Sequence, residues 1–247
     1  MPLSENLLCF RNVSKNYYGN NVLSNINFDV KKGEIHALIG ENGAGKSTLM
    51  NILFGMPVIH TTGGYDGEIL IDGKTTDIKS PHAAMAAGIG MVHQEFMLIP
   101  QYTIAENIKL NREITSPNIV SRVLGKRLET IDMAKMNADA RKALDKLDMN
   151  IEAYTTVAGL PVGHMEFIEI AREIDKTGIK ILVFDEPTAV LTESEAQNLL
   201  AAIKRLARMG GHDIHYPDSL VGRILSYIRT QTSDGSDPDV RIVRSDG

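Results

Sequence analysis

Short apolar segments separated by turns run along the first third of the chain. Residues 7–13 and 22–30 alternate apolar and polar side chains, which predicts two strands of an antiparallel pair joined through KNYYGNN. EIHALIG at 34–40 is a compact apolar run, typical of a buried strand. GEILIDG at 67–73 and GIGMVHQEF at 88–96 predict two further short strands, the second leading into a loop.

Helical spacing replaces this pattern in the middle of the chain. Over 103–158, TIAENIKL and ETIDMAKMNADARKALDKLDM place charges opposite an apolar face, which predicts a mostly helical lobe. GLPVGHMEFIEIARE at 159–173 predicts a helix that begins after a proline and a glycine. IKILVFDEPT at 179–188 returns to a buried strand, and 193–209 is an amphipathic helix. Strands that alternate with helices predict an α/β fold with a largely parallel sheet and helices on both faces.

Composition limits the function without naming it. The 247 residues are 43% apolar and 23% charged, which suits one large soluble domain or a domain with an inserted lobe. A net charge of −5 argues against a nucleic-acid partner. Cys9 is the only cysteine, so no internal disulfide is expected, which fits a reducing cytosol. We find no secretory signal and no apolar run of roughly 20 residues, so any membrane role is expected to act through a partner.

GENGAGKST at 40–48 carries the first chemical signal. It fits G-x-x-x-x-G-K-[ST] and stands between a buried strand and the helix start KSTLMNILFG, the context that a phosphate-binding loop needs. Its glycines let backbone N–H groups cradle oxyanions, and the helix N-terminus favours the same charge. Lys46 can reach the β- and γ-phosphates, and the Ser47 hydroxyl can ligate Mg²⁺. The predicted nucleotide-binding residues are Gly40, Glu41, Asn42, Gly43, Ala44, Gly45, Lys46, Ser47 and Thr48.

Two acidic residues end the later buried strand. Asp185 and Glu186 follow ILVF, and ligands of open α/β sheets lie beyond the carboxyl ends of the strands. We therefore expect Asp185 beside the phosphate loop, holding Mg²⁺ through water, and Glu186 orienting or deprotonating an attacking water. A solvated loop that caps the next helix is the alternative for such a pair taken alone. The phosphate loop upstream favours the catalytic interpretation.

Four motifs occur in one order: the phosphate loop, VHQEF, LPVGH and DEPTAVLT. With a helical stretch between the second and the third, they resemble the nucleotide-binding domain of ABC transporters over about residues 5–209. Stretches such as GIGMVHQEFMLIP are most similar to the ATPases of bacterial simple-sugar importers of the ribose or galactose type, with nucleoside-importer ATPases nearly as close. The resemblance implies a P-loop NTPase fold of the α/β class, with a mostly parallel sheet, an antiparallel β subdomain and a helical lobe at about 97–172. It also implies ATP and Mg²⁺ as cofactors.

The resemblance assigns roles to residues at matching positions. Tyr17 matches the aromatic residue that stacks on adenine, and Tyr18 is a rival for that role. Gln94 matches the glutamine that approaches Mg²⁺ and the attacking water and that signals to the membrane subunit. In the family two ATPase domains meet head to tail, and each ATP lies between one phosphate loop and the other domain's signature turn. Thr192 stands where the family usually has an aspartate, which weakens the expected communication between the paired sites.

LPVGH occupies the position of that signature turn, which is usually Leu-Ser-Gly-Gly-Gln. Leu160 and Gly163 match, whereas Pro161, Val162 and His164 replace the serine, the first of the paired glycines and the glutamine. Pro161 removes a hydroxyl and a backbone N–H, while His164 can donate a hydrogen bond or, protonated, add charge. We expect this helix N-terminus to bind the partner's nucleotide through Leu160, Gly163 and His164. A plain helix cap is the alternative.

The composition changes at Gly210, after which the chain contains no Lys and no Glu. Family spacing places a further buried strand and a γ-phosphate histidine near Asp218, but GGHDIHYPDSL has no apolar run, and Pro217 cannot donate a ladder hydrogen bond. We therefore expect an ABC ATPase domain at 1–209, truncated within the first of two fused cassettes, and a tail at 210–247 that adds no strand to the sheet. A frameshifted end and a divergent or disordered tail both fit this change.

These motifs predict the ATP-binding subunit of an importer, peripheral at the cytoplasmic face of the plasma membrane, which transfers a phosphoryl group to water. The expected partners are membrane permease subunits, a second ATPase domain in a homodimer or a fused cassette, and indirectly a periplasmic or extracellular substrate-binding protein. No nucleic acid is expected. The alternatives are a nucleoside importer, a module that binds ATP but hydrolyses it poorly, and an ABC ATPase of translation or DNA repair.

Overall fold

The computed structural model describes residues 6–39, 45–93, 95–185, 191–209, 224–226 and 240–244. The chain divides into two compact units: a first unit of Met1–Gln94 and Thr177–Gly247, and a second unit of Glu95–Lys176. In chain order the elements are β1 (Asn6–Tyr17), β2 (Asn20–Lys31), β3 (Ile35–Ile39), α1 (Lys46–Leu53), α2 (Pro57–Thr61), β4 (Asp66–Ile71), β5 (Lys74–Thr75), α3 (Pro81–Ala86), β6 (Ile89–Val92), α4 (Ile104–Ile108), β7 (Thr115–Ser116), α5 (Ile119–Leu124), a 3-10 helix (Lys126–Leu128), β8 (Thr130–Ile131), α6 (Met133–Lys146), α7 (Val162–Ile174), β9 (Ile181–Phe184), α8 (Glu193–Met209), β10 (Ile224–Ser226) and β11 (Val240–Arg244).

The first unit contains two sheets of different kinds. One is antiparallel, in the order β2-β1-β4-β5, and the other is parallel, in the order β11-β3-β10-β9-β6. The predicted hairpin, the buried strands at 34–40, 88–96 and 179–188, and the largely parallel sheet are confirmed. Parallel strands run in the same direction, so β3 and β9 both end at the same edge of their sheet. Asp185, which directly follows β9, therefore lies at the edge where β3 also ends, and ligands of such sheets bind beyond that edge.

The hairpin of β1 and β2 is longer than the alternating pattern indicated. Strand pairing continues to Tyr17↔Asn20, so the connection is only residues 18 and 19. Tyr18 and Gly19 both have positive φ, at 50° and 96°. Two-residue hairpin turns whose twist matches that of the strands require positive φ at both central residues. The prediction that KNYYGNN forms the connection was therefore wrong, because Lys15, Asn16 and Tyr17 belong to β1.

One apolar cluster joins α1 to both sheets of the first unit. Its members include Leu49, Met50, Ile52 and Leu53 from α1, Leu8, Phe10 and Ile69 from the antiparallel sheet, and Leu38, Met91, Ile181 and Val183 from the parallel sheet. Burial of each large side chain of this kind is worth about 1.5–3 kcal/mol. The N-terminus of α1 is therefore fixed by packing along the rest of the helix, from elements far apart in sequence.

Two strands come from the part of the chain that was expected to add none. β10 pairs in parallel with β3 and with β9, matching Ile224 to Ile35 on one side and to Leu182 on the other, and β11 pairs with β3. The expectation that residues 210–247 contribute no strand is wrong. Family spacing directed attention to GGHDIHYPDSL, with Pro217 and Asp218, which lies outside the described residues. The strand forms instead from a short apolar run further along, because β3 and β9 offer it ladder partners on both sides.

The second unit is mostly helical, with a small two-stranded sheet of β7 and β8 that the sequence pattern did not indicate. Lys109, only 5% exposed, follows α4 and forms ion pairs with Asp139 of α6 and with Asp175 just after α7, the latter at 2.7 Å. Arg112 reaches the same Asp175 at 2.6 Å. The hydrogen bond from Lys109 is the main cause that holds the pKa of Asp139 below its usual value. This ionic cluster ties three helices of the unit together.

Among the described helices, none combines the length and the apolar content needed to span a membrane.

Candidate functional site

The N-terminus of α1 forms the described part of the phosphate loop. Lys46, Ser47 and Thr48 are the first three residues of the helix, and the first N–H bonded back to its start is that of Leu49, to the Gly45 oxygen at 2.9 Å. No acidic residue lies in the first turn and no side chain caps the helix. Ser47 is exposed, and Lys46 is half-buried. A helix start with backbone donors, a cation and no acidic residue in its own first turn is suited to a polyanion.

Gly45 is the residue on which this geometry depends. Its φ is 85°, in the left-handed region that side chains disfavour. A Cβ placed there would lie 2.6 Å from Leu23 Cδ2 and 2.9 Å from the Val22 carbonyl oxygen. The strand β2 therefore leaves no room for a side chain, and only glycine lets the loop turn into α1 at this point.

Asp185 lies one residue beyond β9, at the sheet edge where β3 also ends. Its backbone N–H donates to the Val92 oxygen at 3.1 Å, so the ladder with β6 continues to this residue and fixes where the side chain begins. The side chain is half-buried. Asp185 and Ser47 offer carboxylate and hydroxyl oxygens, the hard ligands that Mg²⁺ prefers, and Mg²⁺ usually takes only one or two protein carboxylates besides phosphate and water. In the described part of the chain, no group of three His, Cys, Asp or Glu could hold a metal by itself.

The structure separates the two candidate adenine-stacking tyrosines. Tyr17 ends β1, is half-buried and packs on the apolar cluster. The Lys15 Nζ lies 4.6 Å from the centre of its ring. Tyr18, in the hairpin turn, is 91% exposed. Only Tyr17 has a ring held in place by the fold, so the arrangement favours Tyr17 over Tyr18 as a stacking platform.

The signature turn lies in the second unit, at the start of α7. Pro161 is the N-cap without any side-chain cap, and its carbonyl accepts from the N–H of His164 at 3.0 Å and of Met165 at 3.2 Å. Gly163 is buried, whereas the His164 side chain is exposed. The first turn contains no acidic residue. The predicted helix start is confirmed, and its electrostatics suit an anion.

Thr192, the residue that departs from the family pattern, has a structural role in the first unit. Its hydroxyl donates to Glu195 Oε2 at 2.7 Å and accepts from the Glu195 N–H at 3.4 Å, while its own N–H donates to the same carboxylate at 2.9 Å. This reciprocal pattern is a capping box at the start of α8. Such a cap typically stabilises a helix by about 1 kcal/mol.

Part of the predicted site lies outside the described residues: Gly40, Glu41, Asn42, Gly43, Ala44, Gln94 and Glu186. In the first unit, Lys46, Ser47 and Thr48 begin the helix that follows β3 along the chain, and Asp185 directly follows β9 of the same parallel sheet. Leu160, Gly163 and His164 belong to the second unit.

Sequence reasoning missed several buried charged residues, among them Lys15 and Glu166. Lys15 is 1% exposed, and Glu166, one turn into α7, is 2% exposed with no hydrogen-bond partner for Oε1. A lysine in an alternating strand and a glutamate in an amphipathic helix are both predicted to face solvent. In the structure Glu166 is three residues from Gly163 and from Glu169, which are also buried, so it lies on the buried face of α7.

The fold and site define a P-loop nucleotide-binding domain of the ATP-binding-cassette type. The sequence profile of the ABC transporter family matches residues 23–189, and the chain belongs to this family. The structure is similar to cbiO1 from Clostridium perfringens, part of the ABC transporter complex cbiONQ, with a TM-score of 0.68 and 21% identity over 91% of this chain and 79% of that one. A dimeric post-hydrolysis cassette bound to ADP and Pi, MJ0796, gives a TM-score of 0.63 at 23% identity, covering 90% and 88%. These likenesses confirm the predicted fold class.

Relatives with named transport roles are more similar in sequence. The xylose import ATP-binding protein XylG of Thermoanaerobacter pseudethanolicus is 40% identical over 84% of this chain and 38% of its own length. The ribose import ATP-binding protein RbsA of Chelativorans sp. is 41% identical over 80% and 35%. The guanosine import ATP-binding protein NupO of Bacillus subtilis is 41% identical over 81% and 36%. The predicted resemblance to sugar-importer and nucleoside-importer ATPases is confirmed. The matched region spans less than two fifths of each of these relatives.

Proposed function

We propose that this chain binds ATP and Mg²⁺ and, paired with a second ATPase domain, hydrolyses ATP to energise uptake of a simple sugar through membrane permease subunits. The observation that carries the proposal is the uncapped N-terminus of α1, with Lys46 and Ser47, in the helix that follows β3 of the parallel sheet, together with Asp185 directly after β9 of that sheet. Its peripheral place at the cytoplasmic face of a membrane and its indirect link to a substrate-binding protein follow from the same proposal.

Each site residue has a distinct part in this proposal. Lys46 and the N–H groups of α1 neutralise phosphate charge, and the Tyr17 ring stacks on adenine. Ser47 and Asp185 would hold Mg²⁺, which when bound supplies further neutralisation of the phosphate oxygens. Glu186 acts as the base that orients or deprotonates water, and Gln94 also approaches that water. Leu160, Gly163 and His164 face the nucleotide of the partner domain, which is where the uncapped start of α7 would act.

The transported substrate is proposed from the relatives. Import proteins for xylose and ribose favour a simple sugar. The similarity to the guanosine import ATP-binding protein of Bacillus subtilis supports a nucleoside importer as the second candidate. Uptake of labelled xylose, ribose and guanosine by cells expressing the chain with its own permease and binding protein separates the two. Uptake of guanosine alone would rule out the sugar assignment.

Lys46→Ala tests the nucleotide site directly. Removing the ammonium deletes a charge-assisted contact to phosphate, worth on the order of 1.5–3 kcal/mol, or roughly a ten- to 150-fold loss of affinity for Mg–ATP. Isothermal titration calorimetry measures the change. Lys32→Ala is the matched control, since Lys32 is an exposed lysine in the turn between β2 and β3, and its affinity should equal the parent's. An unchanged affinity of Lys46→Ala for Mg–ATP would contradict the assignment of the phosphate loop.

Glu186→Gln separates hydrolysis from binding. The change keeps the size of the side chain but removes the carboxylate that handles water, so turnover should fall by about 10²–10⁴-fold while ATP still binds. In ATP the variant should elute from a sizing column as a dimer that the parent forms only transiently. Hydrolysis at the parent rate would show that Glu186 is not the base. A parent chain that binds ATP without turnover would favour the poorly hydrolysing module instead.

A further inference from the structure

Lys15 is a buried cation held by backbone carbonyls. Its side chain is 1% exposed, and its Nζ donates to the oxygens of Ile59 at 3.3 Å, Thr62 at 2.9 Å and Gly64 at 2.6 Å. Among the described residues no carboxylate forms an ion pair with it. Burying an ammonium is unfavourable unless its hydrogen bonds are satisfied. The ammonium has three N–H donors, and three carbonyl oxygens accept from it: Ile59 lies in α2, Thr62 is the C-cap of α2, and Gly64 follows. All three of its hydrogen bonds are therefore formed.

The same ammonium lies against the ring of Tyr17. Residues two apart in a strand lie on the same face, so Lys15 and Tyr17 are neighbours along β1. The Nζ is 4.6 Å from the ring centre, well within the distance at which a cation is attracted to an aromatic ring. Lys15 therefore has a fixed position, set by α2 and the turn after it, and from that position it restrains the ring of Tyr17.

We propose that Lys15 is a positioning residue for nucleobase recognition, which holds the Tyr17 ring in the orientation on which adenine stacks. The inference rests on the proposed function, because it takes Tyr17 as the stacking platform. Stacking of a base on an aromatic ring depends on the ring's orientation, whereas phosphate binding at α1 does not use this ring. Loss of the Lys15 cation should therefore weaken the base-dependent part of binding and leave the phosphate-dependent part unchanged.

Two ligands separate these parts: Mg–ATP, and Mg–tripolyphosphate, which has three phosphates and no base. In Lys15→Met the affinity for Mg–ATP should fall about three- to tenfold, the size of a partly buried cation–π contact, with the affinity for Mg–tripolyphosphate within twofold of the parent. Lys15→Gln keeps two amide donors for the carbonyls but no charge, so it should show the same selective loss. It carries the test if the methionine variant does not fold.

Tyr17→Ala completes the design. It should lose at least as much ATP affinity as Lys15→Met, and adding Lys15→Gln to it should cause no further loss. Equal losses for both ligands would show that Lys15 only maintains the fold, and an unchanged ATP affinity in a folded Lys15→Gln variant would overturn the proposal. Failure of the parent to bind either ligand would instead refute the nucleotide site itself. ATP affinity unchanged in Tyr17→Ala would remove the platform and the Lys15 proposal with it, while leaving the phosphate site intact.

Discussion

Gly45→Ala is expected to remove measurable nucleotide binding and to destabilise the first unit. A left-handed φ of 85° costs a side-chain-bearing residue about 1–2 kcal/mol. The new Cβ would also lie 2.6 Å from Leu23 Cδ2 and 2.9 Å from the Val22 oxygen, an overpacking that costs about 1–3 kcal/mol more. Because the packed body of α1 cannot follow, the strain falls on the helix N-terminus, where phosphate is expected to bind.

A second glycine supplies the matched control. Gly178 has a similar φ of 81°, but a Cβ added to it would meet nothing within 4 Å. Gly178→Ala should therefore show only the backbone strain, a loss of about 1–2 kcal/mol in the free energy of unfolding with ATP affinity unchanged. Urea denaturation and calorimetry measure both quantities. Equal behaviour of the two variants would show that close approach to β2 does not matter at Gly45.

Glu166→Gln is expected to stabilise the protein at alkaline pH and to leave it unchanged in acid. Glu166 is 2% exposed with Oε1 unpartnered, and burial, reinforced by the negative charge of Glu169, raises its pKa to about 8. The pKa of Glu169 is itself raised by burial, although Arg172 and the Met97 N–H act against the shift, and Glu173 acts with it. The folded chain thus holds a proton on Glu166 that the unfolded chain has released.

The sign follows from proton linkage. Between the unfolded pKa of 4.5 and the folded pKa of about 8, the folded state binds more protons, so stability falls as pH rises through this window. The full penalty above pH 8 is on the order of 3–5 kcal/mol, and glutamine, which never ionises, avoids it. The free energy of unfolding should therefore differ little between parent and variant near pH 5 and differ most near pH 8.5.

Urea denaturation of the whole chain at pH 5, 7 and 8.5 measures this difference. Glu152→Gln is the control, because Glu152 is an exposed glutamate of the same unit, and its effect should be small at every pH. A constant difference across the three pH values would show that Glu166 is ionised in the folded state and finds a partner there.

Local patterns predicted the elements with the strongest periodicity. The helix expected at 193–209 is α8 (Glu193–Met209), and the compact apolar runs form β3, β6 and β9. In each of these elements the spacing of apolar residues is visible within a short stretch of sequence. The phosphate loop was equally local, since one short motif supplies a strand end, a glycine turn and a helix start. Asp185 was placed correctly at a sheet edge by the rule that ligands lie beyond strand C-termini.

Sequence reasoning failed where the deciding contact is distant along the chain. β10 has three residues, too few for a recognisable pattern, and it exists because β3 and β9 pair with it on either side. The family spacing that pointed near Asp218 carried no information about a longer connection. The same holds for Tyr17 and Tyr18, which are equivalent as adjacent aromatic residues until the hairpin turn exposes one and the core supports the other.

The sequence by itself determined the α/β class and the ABC family and predicted the phosphate-binding residues, because glycine, lysine and serine at fixed spacing and apolar runs of fixed period act over a few residues. Only the tertiary structure decided that Gly45 has no room for a Cβ, that Lys15 is a buried cation under Tyr17, that Glu166 is a buried acid and that the segment after Gly210 adds strands to the sheet. Each of these depends on which distant groups surround a side chain or a strand. Burial, charge pairing and strand pairing are set by residues that are distant in sequence, so the order of residues alone does not reveal them.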